Sequence, residues 1–256
     1  MSDEMRGAPA GALDRGLAIL SHLARHRKST VAELAESLQL SRSTTYRLVE
    51  RLRQQGWLMG EEHGGPVRLG PSAAQLAVAA TESNPLRDVA VPILRELLES
   101  TRETVSLAVP SALKMVFIHR ERGPQPVGVS AELGDARPLH CTSVGRAYLA
   151  ALPVEHCERV LEELVASSDS PVRAGDLPAL REILETTRAR GWSQDRREFD
   201  RSSSCCGAAI RDQSGMPVAA ISVAGVAERM EPEIEAIGRQ VASTGRRISA
   251  FLGYVV

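Results

Sequence analysis

Between Leu13 and Gly56 the sequence sets out three short apolar-periodic segments separated by breaks of a few residues. No other feature constrains the fold as strongly. Leu13, Leu17, Ile19, Leu20 and Leu23 recur at helical spacing and predict a helix of about three turns, ended by the polar run RHRKS. Thr30-Val31-Ala32-Glu33 is a capping box: the Thr30 hydroxyl accepts from the third helical amide while Glu33 reaches back. It opens a second helix through Leu34 and Leu38. After the break QLS, Ser41 is the expected N-cap of a third helix. That helix carries Tyr46, Leu48, Val49 and Leu52, with Leu48 and Leu52 inward, and stops at Gly56. A tight turn between the last two helices makes a helix-turn-helix. Next come Trp57-Leu58-Met59 and Val67-Arg68-Leu69, two apolar arms around a glycine-rich tip, which read as a hairpin. Helices followed by a hairpin make a winged helix.

Around this unit the chain divides by pattern. Residues 1–10 lack periodicity and read as a disordered tail, and 11–70 form the winged helix-turn-helix domain. Residues 71–84 form a linker helix that breaks at Asn84-Pro85, because a residue before proline avoids the helical region. Residues 85–256 interleave helices with strand-like runs, an α+β pattern. TVSLAVP, MVFIHRER and PVGVSAEL are the candidate strands. SVGRAYLAALP, VEHCERVLEELVA and LPALREILETTRARGW are helical, the last ended by Gly191. Two apolar runs flank Asp212-Gln213-Ser214-Gly215 as a hairpin, and a final helix runs from about Pro232 to Phe251.

Composition narrows the function. The chain has 256 residues, 43% of them apolar, enough for a core and too many for wholesale disorder. No apolar run is long enough to span a membrane, and Asp3 and Glu4 stand where a secretory signal would be apolar. Four cysteines are too few for a disulfide scaffold and fit a reducing cytoplasm. The net charge of −1 hides an asymmetry: Leu13–Gly56 holds eight basic and four acidic residues. A basic lobe on an acidic body fits a polyanionic partner. The third helix supplies the residue types that read duplex DNA. Ser41, Ser43 and Thr44 suit phosphate oxygens or base edges, and Arg42 and Arg47 suit guanine. Tyr46 lies either against backbone sugar or half-buried in the core, and His63 and Arg68 belong to the wing. The same arginines also occur on ordinary solvated helix faces.

Catalytic signatures are missing from the sequence. There is no G-x-S-x-G elbow, phosphate loop or glycine fingerprint, and Cys141 and Cys157 lack a C-x-x-C partner for zinc. His140 beside Cys141 reads as a hydrogen-bonded structural residue. No cofactor or metal is implied.

The ordered set LDRGLAIL, STVAELAESLQLSRSTTYRLVERLRQQGWL, VRLGPSAAQLA, PLHCTSVGRAYLA and AAIRDQSGMPVAAISVAG resembles the IclR family of bacterial transcription factors over about Leu13 to Leu252. The resemblance implies a DNA-binding domain joined by a helix to a GAF-like effector-binding domain, in a dimer or a dimer of dimers. It implies a cytoplasmic regulator, read as a repressor, that binds double-stranded pseudo-palindromic operator DNA and a small organic acid. In the resembled family, backbone amides after a small-residue turn hold the acid, and these fall on Ser143 and Val144, with Gly145 allowing close approach. The family's Asp falls on Asp195, its Cys on Cys205, and its paired serines on Ser222 and Ala224. The lost hydroxyl at Ala224 argues against the simplest keto acids. Arg137 and Ser203 stand where apolar lining is expected. Arg137 is either a surface residue or a bidentate partner for a carboxylate, leaving room for an aromatic body. Cys205 is either cavity lining or a small buried residue; alternation along a strand puts Cys206 on the other face. The competing readings are a small-molecule-processing enzyme and a ligand sensor without DNA binding.

Overall fold

The computed structural model describes residues 11–60, 65–82, 85–126, 128–129 and 132–255. These fall into two compact units, divided between Asn84 and Pro85. The expected tail over 1–10, the wing-tip residue His63 and the break at Asn84 lie outside the described residues.

The first unit contains α1 (Ala12–His26), α2 (Val31–Ser37), α3 (Arg42–Gln54), β1 (Leu58–Gly60), β2 (Val67–Leu69) and α4 (Pro71–Glu82). α1 runs on to His26, beyond its apolar stripe; Arg25 and His26 sit in its last turn, where cations suit the helix dipole. The Thr30–Glu33 capping box forms as read, with Thr30 N–H on Glu33 Oε2 at 2.7 Å and Glu33 N–H on Thr30 Oγ1 at 3.2 Å. Ile19 and Leu23 of α1, Leu34 of α2 and Val49 of α3 close over Leu58 and Val67 of the hairpin. Leu48 and Leu52 pack against this core only in part, and the innermost positions of α3 are Thr45 and Val49. The hairpin pairs Leu58 with Leu69 and Gly60 with Val67. Its second strand is stitched to the chain before α2, where Ser29 and Val67 exchange both backbone hydrogen bonds, at 3.1 and 2.9 Å.

The second unit runs α5 (Pro85–Thr101), β3 (Thr104–Ser111), β4 (Lys114–Glu121), β5 (Ala136–Pro138), α6 (Ser143–Ala151), α7 (Val154–Ala166) and α8 (Leu177–Arg190). It continues with β6 (Ser193–Arg196), β7 (Ser203–Arg211), β8 (Pro217–Val226), α9 (Ala227–Met230) and α10 (Ile234–Phe251). Six antiparallel strands form one sheet in the order β5-β4-β3-β8-β7-β6. Its pleat sorts side chains between two helical layers. Leu107, Cys206, Ala208, Ile210, Ile221 and Val223 face α5 and α10. Ala108, Met115, Phe117 and Ala220 face α6, α7 and α8. No helix among the described residues is long and apolar enough to cross a membrane.

Two strand expectations need correction. PVGVSAEL is not a strand at its described positions; the edge strand is Ala136–Pro138. The reason is competition for the β4 edge. Phe117 N–H donates to Asp135 O at 3.1 Å and Gly134 N–H to Phe117 O at 2.8 Å, so the chain at 134–138 already occupies it. At the other edge, β6 has no counterpart in the sequence reading.

α10 crosses Trp192 at Gly238, where a Cβ would run into the indole ring. A glycine in a helix interior ordinarily costs roughly 0.5–1 kcal/mol relative to alanine. Overpacking a filled core costs roughly 1–3 kcal/mol and should reverse that sign. Gly238→Ala is therefore expected to lower the urea-denaturation midpoint, and a raised midpoint would contradict this packing.

Candidate functional site

Two regions carry the candidate residues, one in each unit. On α3, the Ser41 hydroxyl accepts from Thr44 N–H at 3.2 Å and donates to Thr44 Oγ1 at 2.9 Å. Ser41 and Thr44 thus set the start of the helix and hold each other's hydroxyls. Thr45 turns inward and donates to Ser41 O at 3.1 Å. With that face anchored, Arg42, Ser43, Tyr46 and Arg47 are all exposed. Tyr46 is 54% exposed, which removes the half-buried alternative. Arg42, Arg47 and Arg51 enter no ion pair among the described residues. Arg53 is engaged instead with the hairpin, donating to Gly60 O at 3.1 Å. Arg68 projects outward from β2. The result is a polar, cationic stripe on a short helix whose opposite side is core.

The second region is a cavity of about 60 Å³ on the α6 side of the sheet. Toward α6 the strands present apolar residues; toward this end the same face changes to Ser106, Cys205, Ser222 and Ala224. Register brings them together: Cys205 pairs with Asp195 on one side and Ala224 on the other, and Ser222 pairs with Ser106. Ser143, Val144, Asp195, Cys205, Ser222, Ala224, Ser203 and Arg137 all line the cavity. Cys206 points the other way, fully buried, with Sγ 3.4 Å from Ile234 O.

Gly145 does not line it. Its N–H donates to the N-cap Thr142 Oγ1 at 3.2 Å, and its missing Cβ lets α6 pack on the Leu139 backbone. The close approach at Gly145 is therefore between chain and chain. Ser143 and Val144 are the first residues of α6, so their amides have no carbonyl one turn back to bond. Together with the dipole, such a turn favours an anion.

Arg137 packs between two aromatic rings, with its guanidinium carbon 5.4 Å from the Phe117 centroid and 5.0 Å from the Phe199 centroid. It pairs with Asp135 at 3.1 Å. Asp195 is buried, and its Oδ1 accepts from Glu198 N–H at 2.9 Å. Burial outweighs that hydrogen bond and pushes its carboxyl up to about 6. Burial also pushes the Cys205 thiol up. Burial, then the neighbouring Arg146, lowers the basicity of His140. His140 Nδ1 is buried with no hydrogen-bond partner among the described residues.

Sequence reasoning missed Ser106, Phe117, Thr142, Phe199 and Arg146. Thr142 was findable as a capping residue before a helix. Arg146 is nearly fully buried and donates to His140 O (2.8 Å), Gln194 O (3.0 Å) and both carboxylate oxygens of Glu198. Among the described residues no group of three or more His, Cys, Asp or Glu could hold a metal ion.

Residues 12–60 match the IclR helix-turn-helix domain, and 78–250 match the bacterial transcriptional regulator IclR C-terminal domain. The HTH-type transcriptional repressor AllR of Klebsiella pneumoniae is 32% identical over 246 residues, covering 95% of this chain and 90% of that protein. The crystal structure of the Thermotoga maritima IclR is 26% identical with a TM-score of 0.71, covering 94% of this chain and 98% of that one. An IclR homologue from Microbacterium hydrocarbonoxydans, complexed with 4-hydroxybenzoate, shares the fold at 24% identity and a TM-score of 0.78, covering 94% and 99%.

The raised carboxyl of Asp195 gives a signed prediction. The folded chain holds this proton more tightly than the unfolded chain. The contribution to stability is full below about pH 4 and is lost as pH rises through about 6. It amounts to on the order of 2–3 kcal/mol. Asp195→Asn keeps an acceptor for Glu198 N–H and should flatten the decline in unfolding free energy between pH 4 and 7, read by urea titration. An unchanged slope would mean the carboxyl titrates normally.

Proposed function

Because this chain belongs to the IclR family of bacterial transcriptional regulators, we propose a mechanism for a regulator whose DNA-reading element is α3. It is a DNA-binding regulator that senses a small molecule, not an enzyme. In our reading, Arg42 and Arg47 make the fork-like contacts to guanine, and Ser43 and Tyr46 contact the backbone beside them. Ser41 and Thr44 hold the helix start against phosphate. The observation that carries this is the exposure of four polar residues on one side of α3 while Thr45 and Val49 of the same helix are buried. Two copies would present two such helices to a pseudo-palindromic operator, as a dimer or tetramer in the cytoplasm, and act as a repressor.

The Asp195 cavity takes the effector, a small organic acid. The Ser143 and Val144 amides would hold its carboxylate, with the Ser222 and Ser106 hydroxyls beside it. Asp195, its carboxyl already raised to about 6 by burial, would take up a proton as the carboxylate binds and so donate rather than repel. Cys205 fills the floor. Arg137 and Phe199 close the far end, and an aromatic body would displace them. Binding changes operator affinity only through different affinities for the DNA-competent and incompetent arrangements of the subunits. α4 would carry that change between the units.

Gel shift on the promoter region of the protein's own gene tests the first part. Arg42→Ala or Arg47→Ala should cost roughly 1–3 kcal/mol of operator binding if the residue reads guanine. Affinity should also fall steeply with salt as counterions are released. Unchanged binding in both variants would remove α3 from the recognition role. Calorimetric titration with glyoxylate, pyruvate and 4-hydroxybenzoate tests the second. Ser222→Ala should weaken binding of the acid that saturates while leaving the gel shift intact. Tight binding of glyoxylate or pyruvate with none of 4-hydroxybenzoate would reject the aromatic reading.

A further inference from the structure

The Asp195 cavity sits at the N-terminus of α6. At the other end of α6 opens a groove of about 590 Å³, far larger than that cavity and within the range of small-molecule sites. Its origin lies in the sheet. β6 pairs with β7 only as far as Ser193 opposite Gly207, so among the described residues Ala208–Arg211 carry no strand on that side. Gly207 O accepts from Ser193 Oγ, and Arg211 N–H donates to Ser249 Oγ at 2.9 Å. Ala209, between them, lines the groove, and its carbonyl oxygen lies where a Cβ on Gly245 of α10 would go. Alanines of α6 and α10 line the space above it, which keeps the floor apolar and the groove deep.

The charge is one-sided. Arg188, Arg211 and Arg246 line the groove and, among the described residues, no carboxylate does. Arg188 is positioned by Ala150 O at 2.9 Å and Arg211 by Gly215 O at 2.6 Å, both neutral acceptors. None of the three enters an ion pair among the described residues. Glu158 of α7, which feels Arg188, is already paired with Arg181 at 2.6 Å. Three guanidiniums without an ion-pair partner among the described residues, over an apolar floor, match a ligand of complementary build.

We propose that this groove is a second small-molecule site, separate from the Asp195 cavity, that takes an organic dianion with an apolar body. Carboxylate or phosphate-ester groups bind the guanidiniums, and the body lies on the alanine floor. The inference does not depend on which acid, if any, enters the Asp195 cavity.

Calorimetric titration of the full chain with terephthalate and with phenyl phosphate tests it. Saturation by terephthalate alone identifies carboxylate as the recognised group, and saturation by phenyl phosphate alone identifies phosphate ester. Arg188→Gln combined with Arg246→Gln should lower that affinity at least about tenfold, while Ser222→Ala changes it less than about twofold. Thermal melting establishes that each variant is folded. Should the double variant unfold, Arg246→Glu, at an exposed position, takes its place with the same expected loss. Binding of neither probe, or binding that survives the arginine substitutions, overturns the proposal. So does binding lost in Ser222→Ala alone.

Discussion

Arg146 is the joint on which the effector-side geometry depends. It lies buried in the first turn of α6, and its guanidinium reaches the His140 carbonyl, the Gln194 carbonyl and the Glu198 carboxylate. A charge out of water is tolerated only when paired and hydrogen-bonded on all sides, and here the satisfying groups are spread across the fold. The same contacts that neutralise Arg146 therefore fix the turn before α6 against the loop after β6. That loop offers the Glu198 amide to Asp195, so the carboxyl, the α6 amides and the sheet face come into register through one cation. The Ser193 hydroxyl, bonded to both Ser143 O and Gly207 O, adds a second tie between helix and sheet.

The winged helix was legible because its determinants are local. The Thr30–Glu33 box, the Ser41 cap and the apolar spacing of α1 to α3 each act within a few residues, and each appears in the structure. β6 was not legible because Ser193-Gln194-Asp195-Arg196 has no apolar alternation; it is a strand only because β7 offers an edge beside it. PVGVSAEL failed for the opposite reason. It has strand composition, but the chain just beyond it takes the available edge of β4.

The cavity was partly legible. The family resemblance marked Asp195, Cys205, Ser222, Arg137 and the α6 turn, and strand alternation allowed only one of Cys205 and Cys206 to face the cavity. Ser106 and Phe199 depend on the pairing of β3 with β8 and on the path of the loop after β6, which spacing alone does not encode. Gly145 was expected to make room for a ligand and is placed against a neighbouring backbone instead. A glycine at the start of a helix reads equally as room for a ligand or room for a neighbouring backbone, and here the neighbour is Leu139.

The adjacent cysteines on β7 have a redox meaning. Their sulfurs lie on opposite faces of the sheet, so they cannot bond to each other while the strand exists. Burial keeps both protonated, and peroxides and disulfides react with the thiolate. An oxidant reaching this pair therefore meets thiols rather than thiolates, held too far apart by the strand to close a bridge.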